Sequence, residues 1–449
     1  MVCYNARWII PVTSAPIENG TVAVVNGKIA YAGPRTGAPQ GDQVELGDAL
    51  ILPGLVNAHT HLELTVMRGF LEDLSFVDWI GKLRRGRNEV LTNENLLDSA
   101  RLGINEGIRA GVTCYADTCS TGVSMQAMRE AGVRGIMYQE VFAPAPEGAE
   151  AALADLVARI DTLEKEVTGL VALGVSPHAP YTVSEKLYGA VSELSRKRRL
   201  PVAMHIAESA EEDDLVRNGA GPFADLWIRR GITPPTKGHN RSPVALLDRY
   251  GLLREDALLI HAVRADTEDI DLIAAHNCAV VHCPISNAKL GHGVAPLTAI
   301  LARKIRTGLG SDSMASNNRM DMLEEARTAL LFQRAHSRKH DAISAAGALA
   351  LATIGGAQAL GLDKRIGSLE AGKDADIAAF AITHDKALPG SDPIATAVFA
   401  LGGTDAILTV VEGRELLRHG RIANEDPALR IRCTVTGAAL ASWSSANGF

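Results

Sequence analysis

The stretch LPGLVNAHTHLELTVMRGF, residues 52–70, places two histidines directly after an apolar run that begins at Ala49. On a β-strand, residues i and i+2 point to the same side, so His59 and His61 could hold one ion between them. The alternative is a strand end at which two histidines are solvated or hydrogen-bonded. Further ligands at equivalent strand ends elsewhere in the chain would favour the metal site.

The chain around this stretch alternates short apolar runs with helical stretches. We count eight candidate strands, at residues 51–56, 112–116, 135–141, 170–175, 202–204, 257–260, 279–281 and 305–309. Strands that alternate with helices indicate a parallel sheet in the α/β class, and eight such units favour a (β/α)8 TIM barrel. A doubly wound open sheet is the second architecture, but no Gly-x-Gly-x-x-Gly follows the first strand.

Both ends of the chain have the pattern of short strands around turns. The segment GTVAVVNGKIAYAG, residues 20–33, contains an Asn-Gly pair at Asn26 that is a strong hairpin signal. The segment DAILTVVEGRELLRHGRIA, residues 405–423, has a similar pattern around Gly413. We therefore predict a composite β-sandwich domain from residues 1–50 and 370–449, and a catalytic barrel domain from residues 51–369.

Composition limits the partners of the protein. The formal net charge is −7 and no long Lys/Arg run is present, which argues against nucleic acid or an anionic membrane as the principal partner. No stretch approaches the roughly 20 apolar residues of a membrane span. The six cysteines lack the density of a disulfide framework, and the first residues lack a signal-peptide pattern. We expect a cytoplasmic homo-oligomer that acts on a small molecule.

Polar residues recur just past five of the predicted strands. They are His59 and His61 after the first, His178 after the fourth, His205 and Glu208 after the fifth, His261 after the sixth and Asp312 after the eighth. In a barrel, all of these positions face one pocket at the carboxyl ends of the strands. Neutral imidazole and carboxylate suit zinc or iron, and four protein ligands plus a water would leave the open position of a catalytic metal.

Five segments carry a resemblance to a known family. PGLVNAHTHLE, GVSPHAPYTVS, MHIAESAEE, VVHCPISNAKLGHGVAPL and GLGSDSMASNNRMDMLEEAR resemble the amidohydrolase superfamily. Within it they are similar to the branch of methylthioadenosine/S-adenosylhomocysteine deaminases, aminodeoxyfutalosine deaminase and triazine hydrolases. The similarity extends to GSLEAGKDADI near the C-terminus. It implies a metal-dependent barrel with a β-sandwich built from both termini.

The resemblance also implies roles for individual residues. The metal ligands would be His59, His61, His205 and Asp312. Glu208 would carry a proton to the ring nitrogen of the substrate, and His261 would hydrogen-bond the attacking water or join the metal shell. A bound metal lowers the pKa of water from 15.7 to roughly 7, and Asp312 would take the water proton. No lysine follows the fourth strand to bridge two ions, so we expect one divalent metal per chain, with zinc favoured over iron.

The resemblance predicts substrate-binding residues less specifically than metal ligands. His178 resembles a histidine that contacts the base in purine-nucleoside relatives, although a loop histidine between two prolines is an alternative. Glu89 falls near a ribose-binding glutamate, but Arg87 and Asn88 stand where relatives carry Trp-Pro, so a surface charge on a helix is an equal alternative. Glu208 would contact the substrate ring. His292 is assigned either to the substrate or to solvent.

Three functions fit these residues. The first is an aminohydrolase, acting on carbon–nitrogen bonds other than peptide bonds, that removes an exocyclic amine from a purine, purine nucleoside or related heterocycle. The second is a triazine-type hydrolase that displaces chloride or an alkylamine. Both can use Glu208 for ring protonation. The third, a catalytically silent metal-binding barrel, is disfavoured because all of the ligands, Glu208 and His261 are present.

Overall fold

The computed structural model describes residues 1–448 and begins with a series of five strands. They are β1 (Val2–Ile9), β2 (Ile17–Val25), β3 (Lys28–Pro34), β4 (Asp42–Glu45) and β5 (Ala49–Pro53). The turn between β2 and β3 is the predicted hairpin, and Asn26 and Gly27 have φ values of 50° and 77°. Two consecutive positive φ values are the conformation for which Asn-Gly is favoured in tight hairpins.

Eight parallel strands follow and form the barrel. They are β6 (Leu55–Thr60), β7 (Val112–Cys119), β8 (Arg134–Val141), β9 (Val171–Pro177), β10 (Val202–Ile206), β11 (Ala257–His261), β12 (Ala279–His282) and β13 (Arg306–Leu309). They pair in sequence order, and a parallel bridge between Thr60 and Asp312 joins the last strand end to the first. The predicted fold class, a TIM barrel with a second β module from both termini, is confirmed.

Four C-terminal strands return to the N-terminal ones. They are β14 (Ile377–Ala381), β15 (Ala406–Val411), β16 (Arg414–Arg418) and β17 (Arg421–Ile422). Strand β14 pairs with β5, so the nine strands outside the barrel form one continuous mixed sheet. The sheet encloses its own apolar cluster, in which Ile51, Ile377 and Val410 are fully buried.

The helices cover the outside of the barrel and its carboxyl end. They are α1 (Phe76–Val90), α2 (Asn93–Arg109), α3 (Val123–Ala131), α4 (Ala149–Leu163), α5 (Glu185–Arg198), α6 (Ala210–Asn218), α7 (Gly221–Arg229), α8 (Pro243–Arg249), α9 (Thr267–Ala275), α10 (Pro284–Lys289), α11 (Leu297–Ala302), α12 (Met314–Asn317), α13 (Met322–Ser337), α14 (Ala345–Ala350), α15 (Gly356–Ala359), α16 (Pro393–Ala395) and α17 (Leu429–Ala446). Between β6 and α1 the chain forms a 3-10 helix, Leu62–Met67.

The predicted first barrel strand, residues 51–56, is wrong. The structure divides this run at Gly54, so that β5 belongs to the terminal sheet and β6 to the barrel. A Cβ on Gly54 would lie 2.1 Å from the Thr113 hydroxyl, which leaves no space for a side chain at the crossing. An uninterrupted apolar run fits both sheets, and the sequence pattern therefore could not locate the division.

The C-terminal helix lies against helices of the barrel. Helix α17 packs against α1 and α2 on the barrel side, and Arg432 there forms an ion pair with Asp98, with 2.6 Å between Nε and Oδ2. The predicted domain division, with boundaries at residues 50 and 370, stays a prediction.

A buried ion pair joins the barrel to the terminal sheet. Arg134, at the start of β8, lies 2.8 Å from Asp376 and 3.0 Å from Asp374, and all three side chains are almost fully buried. We expect Arg134→Met to destabilise the fold by about 3–5 kcal/mol because it leaves two buried carboxylates without this partner. Urea denaturation would measure the change. Arg365→Met is the control, since half-exposed Arg365 also binds Asp374 and should cost about 1 kcal/mol or less. Equal losses would contradict this reasoning.

Candidate metal centre and active site

Four barrel strands bring the predicted metal ligands together. His59 lies in β6 and His61 follows it, His205 lies in β10, His261 ends β11, and Asp312 follows β13. The carboxyl ends of parallel strands meet at the same end of a barrel, so these side chains enter one cavity although they are far apart in sequence. The side chains of His59, His205, His261 and Asp312 are buried, and their ligand atoms all lie within 4.8 Å of one another.

His61 occupies the same centre but is outside this most compact group. Its Nε2 lies 3.1 Å from Nε2 of His205 and 3.5 Å from Oδ1 of Asp312. The four residues whose ligand atoms lie closest together thus include His261, whereas the predicted set of four ligands contains His61 instead. Five residues surround one point, and the choice of four ligands among them stays a prediction.

Two of the imidazoles have a fixed direction. The Asn287 side-chain oxygen lies 2.9 Å from Nδ1 of His261, and the His178 carbonyl oxygen lies 3.2 Å from Nδ1 of His205. Both partners accept a hydrogen bond, so Nδ1 carries the proton and the Nε2 lone pair is directed into the centre. Convergent lone pairs next to a carboxylate are the donor set that a divalent cation requires.

Protonation states agree with this donor set. Burial lowers the pKa of His59, lowers that of His61 to about 4, and holds that of His205 well below its usual value. Burial would raise the pKa of Asp312, but the hydrogen bond from His59 and the nearby histidines hold it well below its usual range. Neutral imidazoles and an ionised aspartate are the forms that bind zinc. The residues present therefore fit a divalent metal.

Glu208 lies beside this centre in the same cavity. Its Oε2 accepts a hydrogen bond from the Tyr181 hydroxyl at 3.1 Å, and its Oε1 lies 3.6 Å from Nε2 of His261. The sequence left open whether His292 faces the substrate or solvent. In the structure its Nε2 lies 3.5 Å from the same oxygen of Glu208, so the side chain faces the site. Burial favours the neutral acid, but His261 and His292 lower the pKa of Glu208. The carboxylate is thus available to accept and return a proton.

The comparisons with known proteins give the family. The sequence model described as the amidohydrolase family matches residues 50–416. The chain belongs to the amidohydrolase family. The methylthioadenosine/S-adenosylhomocysteine deaminase of Moorella thermoacetica is 32% identical to this amidohydrolase, over 93% of this chain and 94% of the relative.

Solved structures of other proteins have the same fold as this chain. A zinc-bound adenosine deaminase from Xanthomonas campestris is similar to this amidohydrolase with a TM-score of 0.87, 28% identity and 98% coverage of both chains. A zinc-bound atrazine chlorohydrolase from Arthrobacter aurescens matches with a TM-score of 0.82 and 22% identity over 98% of this chain and all of its own. At this lower identity, the second comparison supports the fold alone.

The predicted substrate-binding residues have different positions in the amidohydrolase. His178 lines the cavity, with its ring centroid 4.5 Å from that of His205, and its Nδ1 lies 2.8 Å from the Thr182 hydroxyl. Burial lowers the pKa of His178 to about 3, so the ring is neutral. The contact of His178 with a substrate base stays a prediction.

Glu89 is the predicted site residue that the structure does not bring to the cavity. It is exposed on α1, where it accepts hydrogen bonds from Arg85 at 3.1 Å and from the indole of Trp443 at 2.9 Å. Asn88 lines the cavity instead. Successive helical residues are rotated by about 100°, so a difference of one position turns a side chain away from the site.

Some residues around the centre were missed at the sequence level. Ser286 and Ser316 donate hydrogen bonds to Oδ2 of Asp312 at 2.5 and 2.9 Å, and Thr118 lies 3.1 Å from Nδ1 of His61. Glu140 faces the cavity 3.9 Å from His61, and burial raises its pKa well above the usual value. Ser286 and Asn287 belong to α10, within one of the five segments that carry the family resemblance.

Proposed function

We propose that this amidohydrolase is a metal-dependent hydrolytic deaminase that replaces the exocyclic amine of a purine nucleoside, or a related N-heterocycle, with oxygen and releases ammonia. The observation that carries the proposal is Glu208, a buried carboxylate that is adjacent to the three-histidine, one-aspartate cluster in the same cavity. The deaminases among its relatives support the choice of substrate class.

The residues of the chain have complementary tasks in this reaction. When bound, a divalent metal supplies Lewis acidity that lowers the pKa of a water molecule to about 7. Asp312 accepts the proton of that water, and His261, oriented by Asn287, hydrogen-bonds the water. Glu208 delivers a proton to the ring nitrogen, which makes the amine-bearing carbon electrophilic. The water oxygen forms a bond with that carbon, Asp312 passes the proton that it accepted to the amine, the carbon–nitrogen bond breaks, and ammonia leaves. Glu208 takes back a proton from the hydroxyl group on the same carbon, which becomes the carbonyl group of the product.

Ammonia release from a panel of purines, purine nucleosides and aminotriazines would test the proposed function. We expect turnover of at least one purine-type substrate by the metal-loaded protein and none after chelation. The alternative that we consider is a triazine-type hydrolase. Chloride release from a chlorotriazine without any purine deamination would replace our proposal with that alternative.

We further propose one zinc per chain, held by His59, His61, His205 and Asp312. The contacts of His61 Nε2 with His205 and Asp312, and the zinc in the Xanthomonas campestris structure, support this choice. Elemental analysis of the purified protein should give about one metal per chain, and His59→Ala should lower this content because it removes a ligand. His276→Ala is the control, since the half-buried His276 side chain pairs with Asp248 at 2.9 Å and does not line the cavity. Two tightly held metals in the active protein would contradict the mononuclear site.

We also propose that the protein acts in the cytoplasm as a homo-oligomer. All six cysteines are free and buried, which is the pattern expected in a reducing compartment. Among residues 1–448, no helix combines the length and apolar character that crossing a membrane requires. On α17 the exposed fractions of Ile431 and Val435 are 68% and 65%, and an apolar outer face of this kind supports self-association.

A further inference from the structure

His292 is a buried histidine beside Glu208 that the proposed reaction does not use. It lies in the loop between α10 and α11. Only 4% of its side chain is exposed, and its Nε2 lies 3.5 Å from Oε1 of Glu208. Burial of a polar ring without a partner costs free energy, so the place of this imidazole requires a physical reason.

The backbone on both sides of His292 directs its side chain inward. Gly291 and Gly293 have φ values of 74° and 104°, in the left-handed region that favours glycine. Within residues 1–448, no atom beyond the chain neighbours lies within 4 Å of a Cβ placed on either glycine. Backbone conformation, not lack of space, therefore explains both glycines, and the turn that they form brings a loop imidazole into the interior.

Asn287 holds two imidazoles beside the same carboxylate. The backbone N–H of His292 donates a hydrogen bond to the Asn287 carbonyl at 2.9 Å, and the Asn287 side-chain oxygen accepts one from Nδ1 of His261 at 2.9 Å. Nε2 of His261 lies 3.6 Å from Oε1 of Glu208, the oxygen that His292 also approaches. One residue of α10 thus helps to set the position of both rings.

Helix α1 contacts the ring of His292 as well. The ring centroids of Phe76 and His292 are 4.5 Å apart, with an angle of 79° between the ring planes. Phe76 is buried in one apolar cluster with Trp79 and Phe223. Because this edge-to-face contact restricts rotation of the imidazole, it keeps Nε2 directed at Glu208.

Nε2 of His292 has a single carboxylate within ion-pair range among residues 1–448. It makes no hydrogen bond of ordinary geometry within this part of the chain, and Oε1 of Glu208 lies 3.5 Å away. A carboxylate accepts but does not donate, so we assign the imidazole proton to Nε2. Hydrogen bonds of catalytic groups are often long before substrate binds and shorten in the complex.

We propose that His292 is a positioning residue for Glu208. Its Nε2–H donates to Oε1 while the Tyr181 hydroxyl donates to Oε2, and the two donors fix the plane of the carboxyl group that faces the substrate ring. A carboxylate has about four acceptor positions, so two donors leave room for the ring nitrogen. This inference rests on the proposed deaminase function and adds a residue that orients its acid. Misplacement of a catalytic group by about 1 Å costs on the order of 10²-fold in rate.

Two substitutions of His292 distinguish hydrogen-bond donation from packing. His292→Leu keeps an apolar contact with Phe76 but removes the donor, whereas the side-chain amide of His292→Gln can donate in place of Nε2. In the metal-loaded protein with a purine substrate, kcat should fall about 10-fold in His292→Leu, the lower range for loss of a hydrogen bond to a charged group. KM should stay within about 2-fold, because the substrate itself loses no contact. His292→Gln should keep kcat within about 3-fold of the unaltered protein.

His340→Leu is the control, because His340 is exposed and does not line the cavity. Metal content should stay the same in all three variants, since His292 is outside the group of closely spaced ligand atoms. A normal kcat in His292→Leu would overturn the positioning role. Equal losses in His292→Leu and His292→Gln, or a loss confined to KM, would also overturn it.

A double-mutant cycle tests whether His292 acts through Glu208. In the Glu208→Gln protein no acid remains to be positioned, so adding His292→Leu should reduce kcat by no more than about 2-fold further. A role of His292 that is independent of Glu208 would instead repeat the full loss of about 10-fold in this background. Additive losses would therefore refute the proposal.

Crystal structures separate failure of this proposal from failure of the deaminase function. If no purine releases ammonia, deamination is refuted, but the orientation of Glu208 can still be measured in the metal-loaded protein. The carboxyl group should rotate away from its original position in His292→Leu and keep that position in His292→Gln. A carboxyl group that is unmoved in His292→Leu would show that His292 does not position Glu208.

Discussion

Replacement of Asp312 by Asn is expected to abolish both metal retention and turnover. Asp312 is buried, its Oδ1 lies 3.2 Å from Nε2 of His59, and its Oδ2 accepts hydrogen bonds from Ser286 and Ser316. The amide is similar in size but loses the negative charge that a divalent metal requires, and it cannot accept the water proton. We expect kcat to fall on the order of 10⁴-fold, the upper end of the contribution of general acid–base catalysis.

Metal analysis and ammonia release would be measured on the same preparation. Asp385→Asn is the control, because Asp385 is exposed and outside the cavity. An Asp312→Asn protein that keeps its metal and most of its turnover would show that another group accepts the water proton. In that case the assignment of Asp312 in this mechanism would be wrong.

Replacement of Glu208 by Gln should separate proton transfer from metal binding. The amide keeps the size of the side chain and can accept the Tyr181 hydrogen bond, but it cannot carry a proton to the ring. Since Glu208 is not a predicted ligand, metal content should stay at about one per chain. Turnover should fall on the order of 10²-fold or more, the typical contribution of a positioned acid or base.

Glu211→Gln is the matched control, because it lies on α6 three residues further along and does not line the cavity. It should keep both metal and activity. Near-normal ammonia release by Glu208→Gln would leave Glu208 with a structural role only. The proton transfers would then have to be carried by Asp312 alone.

Much of the site could be predicted because strand ends have a local signature. An apolar run followed by a polar residue marks the carboxyl end of a buried strand, and in a barrel all of these ends meet. This reasoning located His59, His205, His261, Asp312 and Glu208. It could not rank His61 against His261, because the mutual distances of side chains depend on the tilt and stagger of strands that are distant in sequence.

Predictions that depended on helix rotation or on sheet membership were less successful. Glu89 and Asn88 are equally polar, and only the rotation of α1 against the barrel turns Asn88 toward the cavity and Glu89 toward Trp443. Residues 51–56 have one apolar pattern, although β5 and β6 belong to different sheets. In both cases the local pattern permits two arrangements, and packing against distant residues selects one.

Periodic strands and helices, the hairpin at Asn26 and the motifs at the strand ends were enough to establish the fold class, the family and a metal site of histidines and an aspartate. These features are encoded within short windows of the chain, where hydrophobic period and residue type are sufficient. The convergence of Asn287, Tyr181 and His292 on the centre required the folded protein. Such contacts join elements far apart in sequence, and their geometry depends on how the helices pack around the barrel.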